Sequence, residues 1–295
     1  MTHESDRVAE TSERLERDIA KHFRAGRARR LVAAPLQFGR DWIVRFIELQ
    51  GFDRAVALAG QAFTALIPLL IVYSAIRSDA SGRDFADELI NAFDLKGASA
   101  ANVRQAFAPS SEVQSSVSAF GALILIFSAL SFTRALQRLY QLTWGQPSLG
   151  MRAAKWGLVW LALVVVTITV RPPLLGAAHG VARVVISIVL SGVVWLITPY
   201  ILLGRRVPWR RLGPMAAMTG VGMTALGFAS AIWMPHSVAV SAGQFGTIGI
   251  AFALLSWLVG YGMVLVVTAA GGAVIDARLR DYGARRAART AHPPG

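Results

Sequence analysis

The stretch IGIAFALLSWLVGYGMVLVVTAAGGAVI, residues 248–275, decides the fold, because it contains no Asp, Glu, Lys or Arg. About 20 consecutive apolar residues are enough for a helix to cross the hydrocarbon core of a bilayer. This stretch is longer than that, and it lacks the polar face of a helix on the surface of a soluble protein. It therefore predicts a helix that spans a membrane.

Five more stretches of similar composition precede it. The predicted spans are 55–76, 117–133, 156–175, 184–203, 212–233 and 248–275. Arg171, Pro172 and Pro173 interrupt the third span near its end, but arginine can extend its guanidinium to the interface and membrane helices tolerate proline. Pro68, in the middle of the first span, should kink that helix. The fold class is thus predicted as all-α, a polytopic membrane bundle of six helices.

The number and distribution of positive charges predict the orientation of the chain in the membrane and its partners. The chain has 295 residues, 54% of them hydrophobic, and a formal net charge of +13. In a soluble protein this charge would suggest nucleic acid, but here anionic lipid headgroups attract the same cations. Of the 30 Lys and Arg residues, 24 lie in the two tails and the loops on their side, and 6 lie on the other side. The positive-inside rule then places both termini in the cytoplasm, at a bacterial plasma membrane, with lipids and not nucleic acid as partners.

The chain divides into three parts. Residues 1–54 are predicted as a charged cytoplasmic tail with an amphipathic interfacial helix, 55–275 as the six-helix membrane domain with external loop 77–116, and 276–295 as a basic cytoplasmic tail. Apolar residues recur every four positions in the external loop, which predicts two short amphipathic helices there. Asp84, Asp87 and Glu88 could collect a divalent cation, although no ligand-loop signature accompanies them.

The sequence offers little to an enzyme. It has no cysteine, which excludes disulfides, thiolate metal sites and thiol nucleophiles. Its histidines are scattered, no carboxylate stands at metal-ligand spacing from them, and neither HExxH nor GxSxG occurs. We therefore expect no enzymatic activity, no cofactor and no metal site.

Two arginines form the candidate binding site. Arg171 and Arg183 bracket the external turn between the third and fourth spans, with His179 between them. No acidic residue occurs from Gln114 to Ile275, so these charges need a partner from elsewhere. Either each guanidinium reaches lipid phosphate and anchors its helix, or the residues share an anionic ligand, since arginine suits bidentate phosphate contacts. The second interpretation predicts a site for an anion or a lipid headgroup.

Small residues line one face of the fifth span. They are Gly213, Ala217, Gly220, Thr224, Gly227 and Ala231, at alternating steps of four and three. Small side chains let membrane helices approach closely. The pattern predicts a helix-packing face, whose partner is either another span or a second copy of the chain in a homo-oligomer.

Three runs carry a resemblance to a known family. They are FDRAVALAGQAFTALIPLLIV at 52–72, SALSFTRALQRLYQLTWG at 128–145 and QFGTIGIAFALLSWLVGYGMVLVVTAAGGAVIDARL at 244–279. In this order they resemble the YihY/BrkB family of bacterial inner-membrane proteins. The resemblance implies six spans, and relatives are labelled virulence factors or, in older naming, ribonuclease BN. Phe245 and Val274 stand where many relatives have tyrosine and glutamate, so no role of that glutamate carries over; Asp276 is expected to be solvated or paired with arginine.

These features predict a membrane protein that transports or exports a lipid or a small anionic solute between its helices. A second interpretation is a membrane scaffold or envelope-assembly factor that transports nothing. The third, a membrane-associated ribonuclease, is disfavoured because the sequence contains no metal-ligand cluster.

Overall fold

A computed structural model describes residues 35–77, 87, 90–91, 95–106, 118–177 and 179–291. All regular elements among these residues are helices. They are α1 over 35–48, α2 Gly51–Arg77, α3 Ala98–Ala106, α4 Ser118–Thr143, α5 Arg152–Ala177 and α6 Gly180–Leu202. A last helical stretch, Trp209–Ala291, is broken at Gly246. It divides into α7, Trp209–Gly246, and α8, which starts at Ile248 and continues to Ala291.

Four of the described helices are long and apolar enough to cross a membrane. They are Arg152–Ala177, Gly180–Leu202, Trp209–Gly246 and Ile248–Ala287, at the third to sixth predicted spans. Helices α2 and α4, 27 and 26 residues long, lie at the first and second. The all-α membrane bundle is confirmed, while its six-span form and cytoplasmic termini stay predictions.

Several helices pass points where the sequence suggested an end or a bend. Helix α4 continues beyond residue 133 to Thr143, because Leu136 and Tyr140 are buried in the core. Helix α5 runs through Pro172 and Pro173 to Ala177. Pro68 lies inside α2, which continues on both sides of it; the bend at Pro68 stays a prediction.

The connection 234–247 between the fifth and sixth predicted spans is helical through Pro235 up to Gly246, and its place outside the membrane stays a prediction. Met234 and Val238 are fully buried there, so packing supports a helix that hydropathy alone would end. The predicted tail after residue 275 is also helical as far as Ala291.

The larger buried core joins α2, α4, α6, α7 and α8 near the ends that the charge pattern assigns to the cytoplasm. Its buried residues are Ala55, Leu58, Leu136, Leu139, Tyr140, Leu202, Leu203, Val207, Leu212, Met215, Leu265, Val266 and Ala269. Helices α2 and α8 approach closely at Gly262, where an added Cβ would lie 2.6 Å from the carbonyl oxygen of Ala55.

A second, smaller core lies at the opposite end of the α7–α8 hairpin. Residues of the loop 77–116 pack there against α7 and α8: Ile90, Leu95, Ala100 and Val103 contact Met234, Val238, Ala242, Ile250, Ala253 and Leu254. Helix α3 matches one of the two predicted short helices, and most of the other falls outside the described residues. The described part of the loop therefore folds onto the membrane domain.

The described residues 35–45 belong to a unit separate from the one that begins at Phe46. The chain is helical there, and the rings of Phe38 and Trp42 lie 5.5 Å apart. Leu36 and Ile43 are largely exposed. An amphipathic helix is thus present, and its place at the membrane interface stays a prediction.

Candidate functional site

Helices α7 and α8 run antiparallel and meet along a line of polar contacts, the α7–α8 seam. Gly246 reverses the chain with φ 60°, a conformation that favours glycine. The cross-helix contacts are Arg211 Nη2 to Asp276 Oδ2 at 2.9 Å, Thr219 with Thr268 at 2.9 Å, and Trp257 Nε1 to Ser230 Oγ at 2.7 Å. From one contact to the next, the residue number rises along α7 and falls along α8, as expected for antiparallel helices.

Glycines allow the two helices to come together along this seam. A Cβ added at Gly222 would lie 2.8 Å from Val264 Cγ1, and one added at Gly272 would collide with the backbone of Met215. Neither glycine belongs to the predicted packing face. The seam therefore lies on a different face of α7 from the one that the small-residue pattern singled out.

The predicted face, Gly213, Ala217, Gly220, Thr224, Gly227 and Ala231, is mostly uncovered within the chain. A Cβ at Gly213 or Gly227 would meet nothing within 4 Å, and one at Gly220 would meet only Trp195 at 3.9 Å. With 3.6 residues per turn, this face lies roughly opposite the seam. Close packing of this face against a second copy stays a prediction.

An ion-pair cluster around the buried Asp276 lies at the end of the seam opposite the hairpin turn. Asp276 is 4% exposed; it accepts hydrogen bonds from Arg211 at 2.9 and 3.1 Å and pairs with Arg280 at 3.2 Å. The Arg211 guanidinium also lies 5.5 Å from the ring centroid of Trp144. Asp276 is therefore paired and not solvated, and it holds α8 to α7 and to the end of α4.

Some buried polar atoms near this cluster have no hydrogen-bond partner among the described residues. They include the Tyr140 hydroxyl on α4 and Nε1 of Trp144, the residue that directly follows α4. Gln137, one turn before Tyr140, donates to the carbonyl oxygen of Ala153 at 3.0 Å. The sequence predicted no role for these residues, although Gln137 and Tyr140, three positions apart, share one face of α4.

The candidate anion site lies at the turn of the α5–α6 hairpin. Arg171 Nη2 donates a long hydrogen bond, 3.4 Å, to Ser187 Oγ on α6. Ser187 is one turn from Arg183, so both arginines lie at the same end of the hairpin. His179 precedes α6 in an extended conformation, without a side-chain capping bond. Arg171, His179 and Arg183 are all exposed.

No carboxylate in the described part of the chain pairs with Arg171 or Arg183. Asp87, the one acidic residue of the external loop that the structure describes, has another partner, since it forms an ion pair with Arg104 at 2.9 Å. Asp84 and Glu88 lie outside the described residues, and no metal-ligating cluster occurs within them. Within the described residues, the hairpin turn thus presents two arginines without a carboxylate partner, and such a pair suits an anion.

These long apolar helices, closed by polar contacts between them, define an integral membrane protein of the helix-bundle class. The family model described as virulence factor BrkB matches residues 42–292. The chain belongs to this family, which confirms the resemblance seen in its sequence. Comparison with curated proteins and with solved structures gives no match.

Proposed function

We propose that this protein transports or exports a lipid or a small anionic solute across a bacterial plasma membrane, in a six-span topology with both termini in the cytoplasm. The α5–α6 hairpin is the element on which an anionic group is first held. The proposal assigns no chemical step to the protein and needs neither a metal nor a cofactor.

One observation carries the proposal: Arg171 donates to Ser187 at the exposed end of the hairpin, Arg183 lies one turn from Ser187, and no carboxylate of the described residues is bound to either arginine. A charged side chain near hydrocarbon is costly unless it reaches water or an opposite charge. Guanidinium groups form strong bidentate contacts with phosphate and carboxylate. An anionic headgroup or solute supplies the missing charge.

The surface of the hairpin supports a lipid-accessible pathway. In α5 and in α6, none of the most apolar stretch is buried within the chain (0% for both). An anionic group bound at the turn is therefore continuous with apolar surface on which acyl chains can lie.

Arg171→Gln tests the site in vesicles that contain the purified full chain and a lipid with a fluorescent anionic headgroup. We expect movement of that lipid between leaflets to slow roughly tenfold, because a hydrogen bond to a charged group contributes about 1.5–3 kcal/mol. Arg171→Lys keeps the charge without the planar fork, so its loss should be smaller. Arg104→Gln is the matched control, because that exposed arginine is already paired with Asp87.

Two outcomes would contradict the proposal at different levels. Full activity in Arg171→Gln would mean that the arginines are membrane anchors and not a binding site. If the wild-type protein moves neither the lipid nor a small anion trapped in the vesicles, the proposed transport function is wrong. A role as a scaffold or envelope-assembly factor would then be the better interpretation.

A further inference from the structure

The α7–α8 seam opens into a groove near the hairpin turn. The two helices are joined by the bond from Trp257 Nε1 to Ser230 Oγ, 2.7 Å long. They meet again where an added Cβ at Gly249 would collide with the carbonyl oxygen of Ser241. Between these contacts one side of the hairpin is packed in the smaller core, and the other side leaves a groove of about 240 Å³, lined in part by Trp233.

The groove is lined by hydroxyl and aromatic groups. Its lining includes Trp233, His236, Ser237, Ser241, Phe252 and Ser256. Trp233 and Phe252 are 47% and 62% exposed, so they form open walls and not a closed cavity. No arginine, lysine, aspartate or glutamate is among the lining residues.

The hydroxyls of the groove differ from the others on the same two helices. Thr219, Thr224, Ser230 and Thr268 each donate to a carbonyl oxygen four residues earlier in their helix. Across the described residues, by contrast, no hydrogen bond involves the side chains of His236, Ser237, Ser241 and Ser256. Their donors and acceptors are thus available to a ligand.

The position of the groove in the membrane matters, because polar groups without partners are costly away from water. The groove lies at the turn end of the hairpin, and Ser256 lies about two turns along α8 from its start at Ile248. The groove therefore extends from the headgroup region, where aromatic residues are enriched, toward the hydrocarbon. Polar groups at that depth are unfavourable unless a partner satisfies them.

The chemistry of the lining selects among possible headgroups. Phosphate is bound best by cations or by clustered amide donors, and the groove has no permanent cation. Serine hydroxyls both donate and accept, which matches an uncharged group that carries several hydroxyls. Ligand sites of this kind combine apolar and aromatic walls with a few placed polar groups.

We propose that the groove between α7 and α8 binds the hydroxylated head, glycerol or sugar, of a membrane lipid. Ser237, Ser241, Ser256 and His236 contact the head hydroxyls, and Trp233 and Phe252 flank the glycerol backbone and upper acyl chains. This site is separate from Arg171 and does not depend on transport, because a scaffold could hold the same lipid.

Native mass spectrometry of the full chain, released from detergent with added lipids of identical acyl chains, tests the proposal. Phosphatidylglycerol and glucosyl diacylglycerol carry head hydroxyls, whereas phosphatidic acid has the phosphate alone. We expect at least one hydroxylated lipid to be retained roughly fivefold more than phosphatidic acid, since a hydrogen bond contributes about 0.5–1.5 kcal/mol. Which of the two is retained distinguishes a glycerol head from a sugar head.

The double variant Ser237→Ala with Ser256→Ala should lose this preference while keeping its elution volume on size exclusion. Thr224→Val is the matched control, because Thr224 lies on α7 outside the groove and bonds to its own helix. Equal retention of phosphatidic acid by Arg171→Gln, in which the anion site is removed, would mean that head hydroxyls are not recognised. An unchanged preference in the double variant would place lipid binding elsewhere.

Discussion

The α5–α6 and α7–α8 hairpins look alike in sequence and differ in the folded chain. The apolar stretches of α6 and α8 have almost the same mean hydropathy, 2.2 and 2.3. Within the protein, however, 39% of the α8 stretch is buried and none of the α6 stretch is. Equal hydropathy therefore does not mean an equal place in the bundle.

The difference comes from short-range contacts. The α7–α8 seam has an ion pair, two hydroxyl-mediated contacts and glycines that let backbones meet. The α5–α6 hairpin has only two polar cross-contacts among the described residues, Trp160 to Thr198 at 3.2 Å and Arg171 to Ser187 at 3.4 Å. Without a hydrophobic drive between helices in lipid, such contacts decide which helices associate. The α7–α8 hairpin therefore packs within the protein, whereas the surface of the α5–α6 hairpin is free to contact lipid or a ligand.

The largest expected effect concerns the side of the membrane on which each hairpin turns. The chain has no native cysteine, so single cysteines report position cleanly. His179→Cys and Gln244→Cys, at the two exposed turns, should both react with an impermeant thiol reagent added outside cells. Ser148→Cys and Arg210→Cys should not react. Labelling of only one turn would show that the hairpins are not equivalent, and labelling of only 148 and 210 would reverse the topology.

A methyl group in the seam should destabilise the protein more than one in the other hairpin. Gly272→Ala forces a Cβ against the Met215 backbone, and overpacking costs about 1–3 kcal/mol. Gly192→Ala on α6 meets nothing within 4 Å and should keep or raise stability through helix propensity. Thermal melting in detergent, followed by size exclusion, measures both. Equal midpoints would mean that α7 and α8 do not meet closely at Gly272.

Loss of the buried charge at the base of the seam should have a smaller effect. Asp276→Asn removes the carboxylate that Arg211 and Arg280 share, and we expect a loss of about 1 kcal/mol, since the two arginines are 35% and 59% exposed and water replaces part of the interaction. Asp281→Asn, on the exposed continuation of α8, is the control. The same melting assay applies, and an effect at Asp281 as large as that at Asp276 would contradict the role of the cluster.

The smallest effect should come from one hydroxyl in the seam. Thr219→Val removes the bond to Thr268, and interhelical hydrogen bonds in membranes contribute about 0.6 kcal/mol on average. Thr224→Val keeps the same shape change on the same helix but removes only a bond to its own backbone. A difference in melting midpoint between these variants isolates the cross-helix bond, and identical midpoints would show that it adds nothing.

The candidate anion site could be located from sequence, but its geometry could not. Arg171 and Arg183 stand out because charge is rare near a predicted span. That Arg171 reaches Ser187, one turn from Arg183, depends on how α5 and α6 lie against each other. The hydroxyl groove had no sequence signal, because isolated serines in apolar helices usually bond to their own backbone.

The sequence by itself determined that this protein lies in a membrane and where its long helices are in the chain, because hydropathy and length are local properties. Only the tertiary structure decided which face of α7 packs, since both sides of that helix carry glycines. Helix α8 packs against the side that carries Gly222 and not against the side that carries Gly220. It also decided that Asp276 meets Arg211 and that 234–246 stays helical. Those outcomes depend on residues far apart in the chain coming together, and no local pattern records which of them do.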